Sequence, residues 1–142
     1  MFATVVTLER IPQQIVESLS GLTSSAILVL LLICLLLIII GTFMETISAI
    51  IILAPILVPL VVSYGIDPIH FGIILIVTIE IAFLTPPLGV NLFVASQIAG
   101  IPFEKVAWTI MPFVATLIGA MLIIVFFPSI SLTLPEWLRA LR

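Results

Sequence analysis

The residues with the clearest chemical potential are Thr85-Pro86-Pro87-Leu88-Gly89, which interrupt an apolar stretch otherwise long enough to cross a membrane. Proline has no N–H to donate, so the carbonyls four residues before the pair, on Ala82 and Phe83, lose their usual helical partners. Unpaired carbonyls are costly in hydrocarbon, and unwound backbone persists at that depth only where it is buried against protein or lines a polar cavity. Together with the Thr85 hydroxyl, these carbonyls make a set of hard neutral oxygens suited to a small cation such as Na⁺. The helix that resumes after Pro87 turns its N-terminus to the same break and offers free amides to an anion. Gly89 and Asn91, at the start of that resumed helix, are candidate substrate contacts. The competing reading of the pentad is a proline kink that serves packing alone.

A second polar interruption, Gly41-Thr42-Phe43-Met44-Glu45-Thr46, separates two other apolar segments. Gly41 allows close backbone approach, and two breaks at similar depth point to a transporter site near the midplane. Thr42 and Glu45 mark the polar tip; Glu45 either helps to neutralise a cation or caps the returning helix. Glu80 lies more than one turn before the break and either holds a proton, pairs with a partner subunit or faces a solvated cavity. His70 is expected at the membrane interface rather than in a proton relay. Cys34, the only cysteine, is read as a packing residue and excludes an intrachain disulfide. With one His and no Ser/His or Asp/Asp pair at matched depth, nothing activates a nucleophile, and no enzyme is expected.

These residues must be positioned by membrane helices. Of 142 residues, 63% are hydrophobic and 8% charged, and the mean hydropathy is +1.54. That is too little polar surface to coat a soluble domain of this length. The net charge of -3 and the lack of a basic cluster exclude nucleic acid as a partner. The N-terminus lacks the basic region of a cleavable signal. Residues 1–24 read as a helix end followed by an interfacial amphipathic helix. Ser25 to Ile40 reaches only about 24 Å, short of a hydrocarbon core of roughly 30 Å. Ile47 to Val62 follows, interrupted by Pro55 and Pro59. Residues 25–62 therefore suggest a re-entrant hairpin, with two tilted spans as the alternative. Asp67 as N-cap and Pro68 at the first helical position start a new helix. It runs from Ile69 to Leu84, breaks, and resumes from Val90 to Ala99, so that residues 63–101 form a broken transmembrane helix. Residues 102–142 hold a last span, about Val106 to Phe127, closed by Pro128, and an interfacial anchor at Leu134 to Arg139.

Four stretches, Gly41 to Thr46, Pro55 to Pro59, Gly65 to Gly72 and Glu80 to Phe93, closely resemble the C-terminal part of the large membrane subunit of TRAP (tripartite ATP-independent periplasmic) transporters. The resemblance covers nearly the whole chain. It implies an all-α integral membrane fold: a re-entrant hairpin, a broken transmembrane helix and a terminal transmembrane helix, the second inverted repeat of an elevator-type transporter. It further implies a sodium-driven importer of organic acids such as C4-dicarboxylates or sialic acid, in the bacterial inner membrane. The implied partners are a small membrane subunit, the remainder of the large subunit, a periplasmic substrate-binding protein and the lipid bilayer. The family's sodium site between hairpin tip and broken helix, carried over, involves Gly41, Ala82, Thr85 and Leu88.

Two positions depart from the family pattern. Ala82 stands where glycine is usual, and Thr78 where asparagine is frequent; an alanine carbonyl can replace a glycine carbonyl only if the backbone there avoids positive φ. The first hairpin, its broken helix and the first sodium site have no counterpart in 142 residues, so the chain is expected to give half a transport domain and not to transport alone. The alternative is a non-transporting membrane scaffold of the same fold. Orientation is open: Arg10, Arg139 and Arg142 favour a cytoplasmic C-terminus by the positive-inside rule, whereas the family's fold implies a periplasmic one.

Overall fold

A computed structural model of the chain describes residues 25–86 and 89–140, and it is entirely helical. Six helices follow in order: α1 (Ala26–Gly41), α2 (Thr46–Ser63), α3 (Pro68–Phe83), α4 (Val90–Ala99), α5 (Phe103–Phe126) and α6 (Ser129–Ala140). The expected amphipathic helix before residue 25, and Leu88, lie outside the described residues.

The boundaries follow local chemistry. Asp67 caps α3, its carboxylate accepting from the Ile69 N–H at 2.7 Å, and Pro68 takes the first helical position, where a missing N–H costs nothing. Gly100 ends α4 with φ 64°, a left-handed turn that glycine adopts without steric penalty. The sequence reading needs correction at three places. α2 runs unbroken through Pro55 and Pro59. α5 begins at Phe103, because the backbone turns at Gly100 and Pro102 rather than at the first strongly apolar residue. The C-terminal segment is a helix from Ser129 onward, with Pro135 inside it.

α1 and α2 form a hairpin joined by the four residues 42–45, and both pack on α3, which touches every other described helix. The core is a contact of aligned stripes. Val29, Leu30, Ile33, Cys34 and Leu37 on α1 meet Phe71, Ile74, Leu75, Ile79 and Ala82 on α3, both sets recurring at the three- and four-residue spacing of one helix face. Thr78 is wholly buried there. Its hydroxyl donates to the Ile74 carbonyl at 2.6 Å, with Met121 Sδ and Cys34 Sγ at 3.3 and 3.7 Å. A polar group on the core face is thus satisfied within its own helix.

α2 and α5 are long and apolar enough to cross a membrane. Only 22% and 17% of their apolar windows are buried, whereas the core helix of a soluble protein would be mostly buried. Large apolar side chains such as Leu35, Ile51, Trp108 and Phe113 face outward.

Candidate functional site

The hairpin tip meets the end of α3. Gly41, the last residue of α1, is buried, and a Cβ built on it would stand 2.7 Å from the Ala82 Cβ. Nonbonded carbon atoms do not pack so closely without something shifting, so the contact in this form depends on position 41 being glycine. Gly41 and Ala82, two of the four predicted cation ligands, are therefore neighbours across the two polar interruptions. The departure at Ala82 is accommodated, since Ala82 lies within α3 and has no need of positive φ.

The oxygens at this contact differ from the sequence expectation in one respect. The Ala82 carbonyl is not naked: with Pro86 unable to donate, it accepts the Thr85 N–H at 3.0 Å in a tighter turn. The Leu84 N–H is shared between the same oxygen and the Ile81 carbonyl. The Phe83 carbonyl accepts no hydrogen bond among the described residues, nor does that of Gly41. The Thr85 hydroxyl donates to the Ile81 carbonyl at 2.7 Å, which commits its hydrogen and leaves its oxygen lone pairs for another partner. Among the described residues, no three His, Cys, Asp or Glu side chains come together. A cation here would be held by neutral oxygens, a donor set that fits a hard monovalent ion and not a transition metal.

The polar tip is ordered by its own side chains. Thr42 is buried, and its hydroxyl donates to the Ile39 carbonyl at 2.8 Å. Glu45 takes the capping role, accepting from the Ile47 and Ser48 N–H groups at 3.0 and 3.1 Å and from the Ser48 hydroxyl at 3.2 Å. Negative charge at a helix N-terminus is favourable in any case. Glu80 faces the tip: it accepts from the Thr46 hydroxyl at 3.2 Å, a link across 34 residues that no local pattern in the sequence reveals. His70 is buried within the protein, with Nδ1 2.7 Å from Ser131 Oγ on α6 and Nε2 without a partner among the described residues.

Beyond the break, Gly89 adopts φ 41°, and a Cβ there would crowd Leu92 at 2.9 Å and the Thr85 carbonyl at 3.3 Å. Glycine is therefore required where the chain enters α4. Asn91 is exposed on the first turn of α4. α4 is held to α5 by Phe93 and Phe103, whose rings stack with centroids 4.3 Å apart. A cavity of about 330 Å³ lies beside the break, lined by Pro86, Phe103, Glu104, Ala107, Trp108 and Met111. Its single charge is negative, so it does not suit a carboxylate ligand.

Comparison with known families decides what this arrangement is part of. The model of the tripartite ATP-independent periplasmic transporter DctM component matches residues 1–130. The chain belongs to the DctM family. Among curated DctM-family relatives, it is 46% identical over 132 residues to the isethionate TRAP transporter permease protein DctMQ of Oleidesulfovibrio alaskensis, covering 93% of this chain and 21% of that protein. It is 43% identical over 138 residues to the C4-dicarboxylate TRAP transporter large permease protein DctM of Pseudomonas aeruginosa, covering 97% of this chain and 32% of the relative. The sialic acid TRAP transporter large permease protein SiaM of Vibrio cholerae is 36% identical over 136 residues, or 96% of this chain and 32% of SiaM. The chain thus spans between about a fifth and a third of the length of these DctM-family relatives.

Proposed function

We propose that this chain is the C-terminal portion of the large permease subunit of a Na⁺-coupled TRAP transporter that imports organic acids, C4-dicarboxylates, sialic acid or related carboxylates, by an elevator mechanism. The α1–α2 hairpin is re-entrant, α3 and α4 form the broken transmembrane helix, and a Na⁺ ion sits where the hairpin tip meets the break. Gly41, Ala82 and Leu88 supply carbonyl oxygens, and Thr85 supplies a carbonyl or its hydroxyl oxygen. Gly89 and Asn91 face the substrate at the N-terminus of α4, where backbone amides favour an anion. The remainder of the large subunit, a small membrane subunit and a periplasmic binding protein complete the machine.

The observation that carries this reading is the contact of Gly41 with Ala82, which brings both polar interruptions into one place. Two unrelated interruptions would have no reason to meet through glycine and alanine, the two smallest residues. α1, at 16 residues, extends about 24 Å and falls short of a core of roughly 30 Å, as a re-entrant arm does. The substrates in the relatives' names are all small organic anions, which agrees with an anion-favouring helix start beside a cation.

The test is thermal unfolding of the purified chain in Na⁺ and in K⁺ at equal ionic strength. A specific site raises the melting temperature in Na⁺ by mass action. Thr85→Ala is expected to abolish that difference, while Thr85→Ser, which keeps the hydroxyl, retains part of it. Equal melting of the wild type in both salts would sink the sodium reading and leave a non-transporting scaffold of the same fold.

A further inference from the structure

α6 has three faces with three different chemistries. At about 100° per residue, Ser131, Leu132 and Pro135 fall on one side and are the buried or half-buried residues of the helix. Ile130, Leu134, Trp137 and Leu138 form a second stripe, all of them 53–63% exposed. Ser129, Thr133 and Glu136 form a third, polar and exposed. The arrangement inverts that of a helix on a soluble protein, which turns its apolar stripe to the core.

The inward attachment is polar. Ser131 Oγ lies 2.7 Å from the buried His70 Nδ1 at the start of α3. A cavity of about 260 Å³, lined in part by His70, Val125, Pro128 and Leu132, remains next to the seam. The apolar stripe is therefore left facing away from the protein while a hydrogen bond fixes the helix's rotation. Phe126 and Phe127, both exposed where α5 ends, continue the stripe toward the span.

From these three faces we infer that α6 is an in-plane lipid anchor, lying along the bilayer surface with Ile130, Leu134, Trp137 and Leu138 in the acyl region and Ser129, Thr133 and Glu136 in water. Only a boundary supplies hydrocarbon and water to two sides of one short helix at once. α6 stands at such a boundary, because only two residues separate it from the end of α5, a 24-residue helix long enough to leave the hydrocarbon core. It also packs beside the polar turn at Gly65 and Asp67. Trp137 within the stripe suits the headgroup level, where indole rings concentrate. The inference goes beyond the transport reading and holds whether or not a cation binds at the break.

The test places the whole chain in vesicles of phosphatidylethanolamine and phosphatidylglycerol. With Trp108→Phe, Trp137 is the only indole, and its fluorescence is measured with phospholipids brominated either close to the ester or close to the chain terminus. Stronger quenching by the ester-proximal bromines is expected. In a Cys34→Ala background, Glu136→Cys is expected to react with a water-soluble maleimide, present on both sides, about ten-fold faster than Leu134→Cys, as depth in an interfacial helix requires. A Trp137 quenched by neither lipid, as under a protein partner, or quenched at least as strongly from the chain terminus, overturns the proposal. So do equal maleimide rates, and this second measurement stands if the tryptophan variant fails to fold.

Discussion

The two ends of α3 solve opposite problems. At its start, Asp67 takes the Ile69 N–H, Pro68 removes a donor that would have been idle, and Ser131 meets His70 Nδ1, although His70 Nε2 is buried without a partner among the described residues. At its end, paired prolines leave the Phe83 carbonyl without a donor among the described residues, while the Ala82 carbonyl takes the Thr85 N–H and a share of the Leu84 N–H. The first end has the chemistry of a fastener. The second is where the tip of α1 packs through Gly41 and where, among the described residues, the Phe83 carbonyl accepts no hydrogen bond. The backbone donors of α3 are thus matched by Asp67 and Pro68 at its start, whereas the prolines at its end leave a backbone acceptor over.

That contrast can be broken at either end, and reversible unfolding in micelles measures each case. Gly41→Ala has the largest expected effect, a loss of about 3 kcal/mol, because the new methyl has no room against Ala82. Adding Ala82→Gly should recover much of it, giving a coupling energy of at least about 1 kcal/mol; additive losses would mean that the tip and the break do not touch. Ser131→Ala should cost about 2 kcal/mol by stranding a buried His70 nitrogen. Asp67→Ala should cost about 1 kcal/mol through the lost cap, and Asp67→Asn much less. Thr46→Val, which removes the exposed link to Glu80, should cost roughly 0.5 kcal/mol or less. A Thr46→Val loss as large as that of Gly41→Ala would show that the tip is held by its polar link and not by close packing.

The local signals were legible in the sequence. The Asp67-Pro68 start, the restart at Val90 and the turn at Gly100 each depend on a few adjacent residues, and each stands where those residues put it. The pairings across long separations were not. Thr46 with Glu80 and His70 with Ser131 join positions 34 and 61 residues apart, and periodicity carries no information about which faces meet. The proximity of Gly41 and Ala82 came from family resemblance; the pattern of residues marked both as interruptions without joining them. α6 was underestimated because Pro128 read as the close of the last span and only Leu134 to Arg139 as an interfacial anchor, although a helix can start directly after a proline, and Pro135 inside it removes a single bond that a short helix on a protein surface can lose.

The unequal lengths of α3 and α4, 16 and 10 residues, have an electrical consequence. At about 24 and 15 Å, they set the interruption nearer the outer end of α4 than the outer end of α3, at roughly 0.4 of their summed length. On the proposed reading, in which α3 and α4 together span the membrane and a cation binds at the break, a monovalent ion entering from the α4 side would cross about that fraction of the membrane field, or roughly 0.9 kcal/mol per 100 mV. Entry from the opposite side would traverse the larger remainder, so the sign and steepness of voltage dependence in ion binding would report which face of the bilayer α4 opens toward.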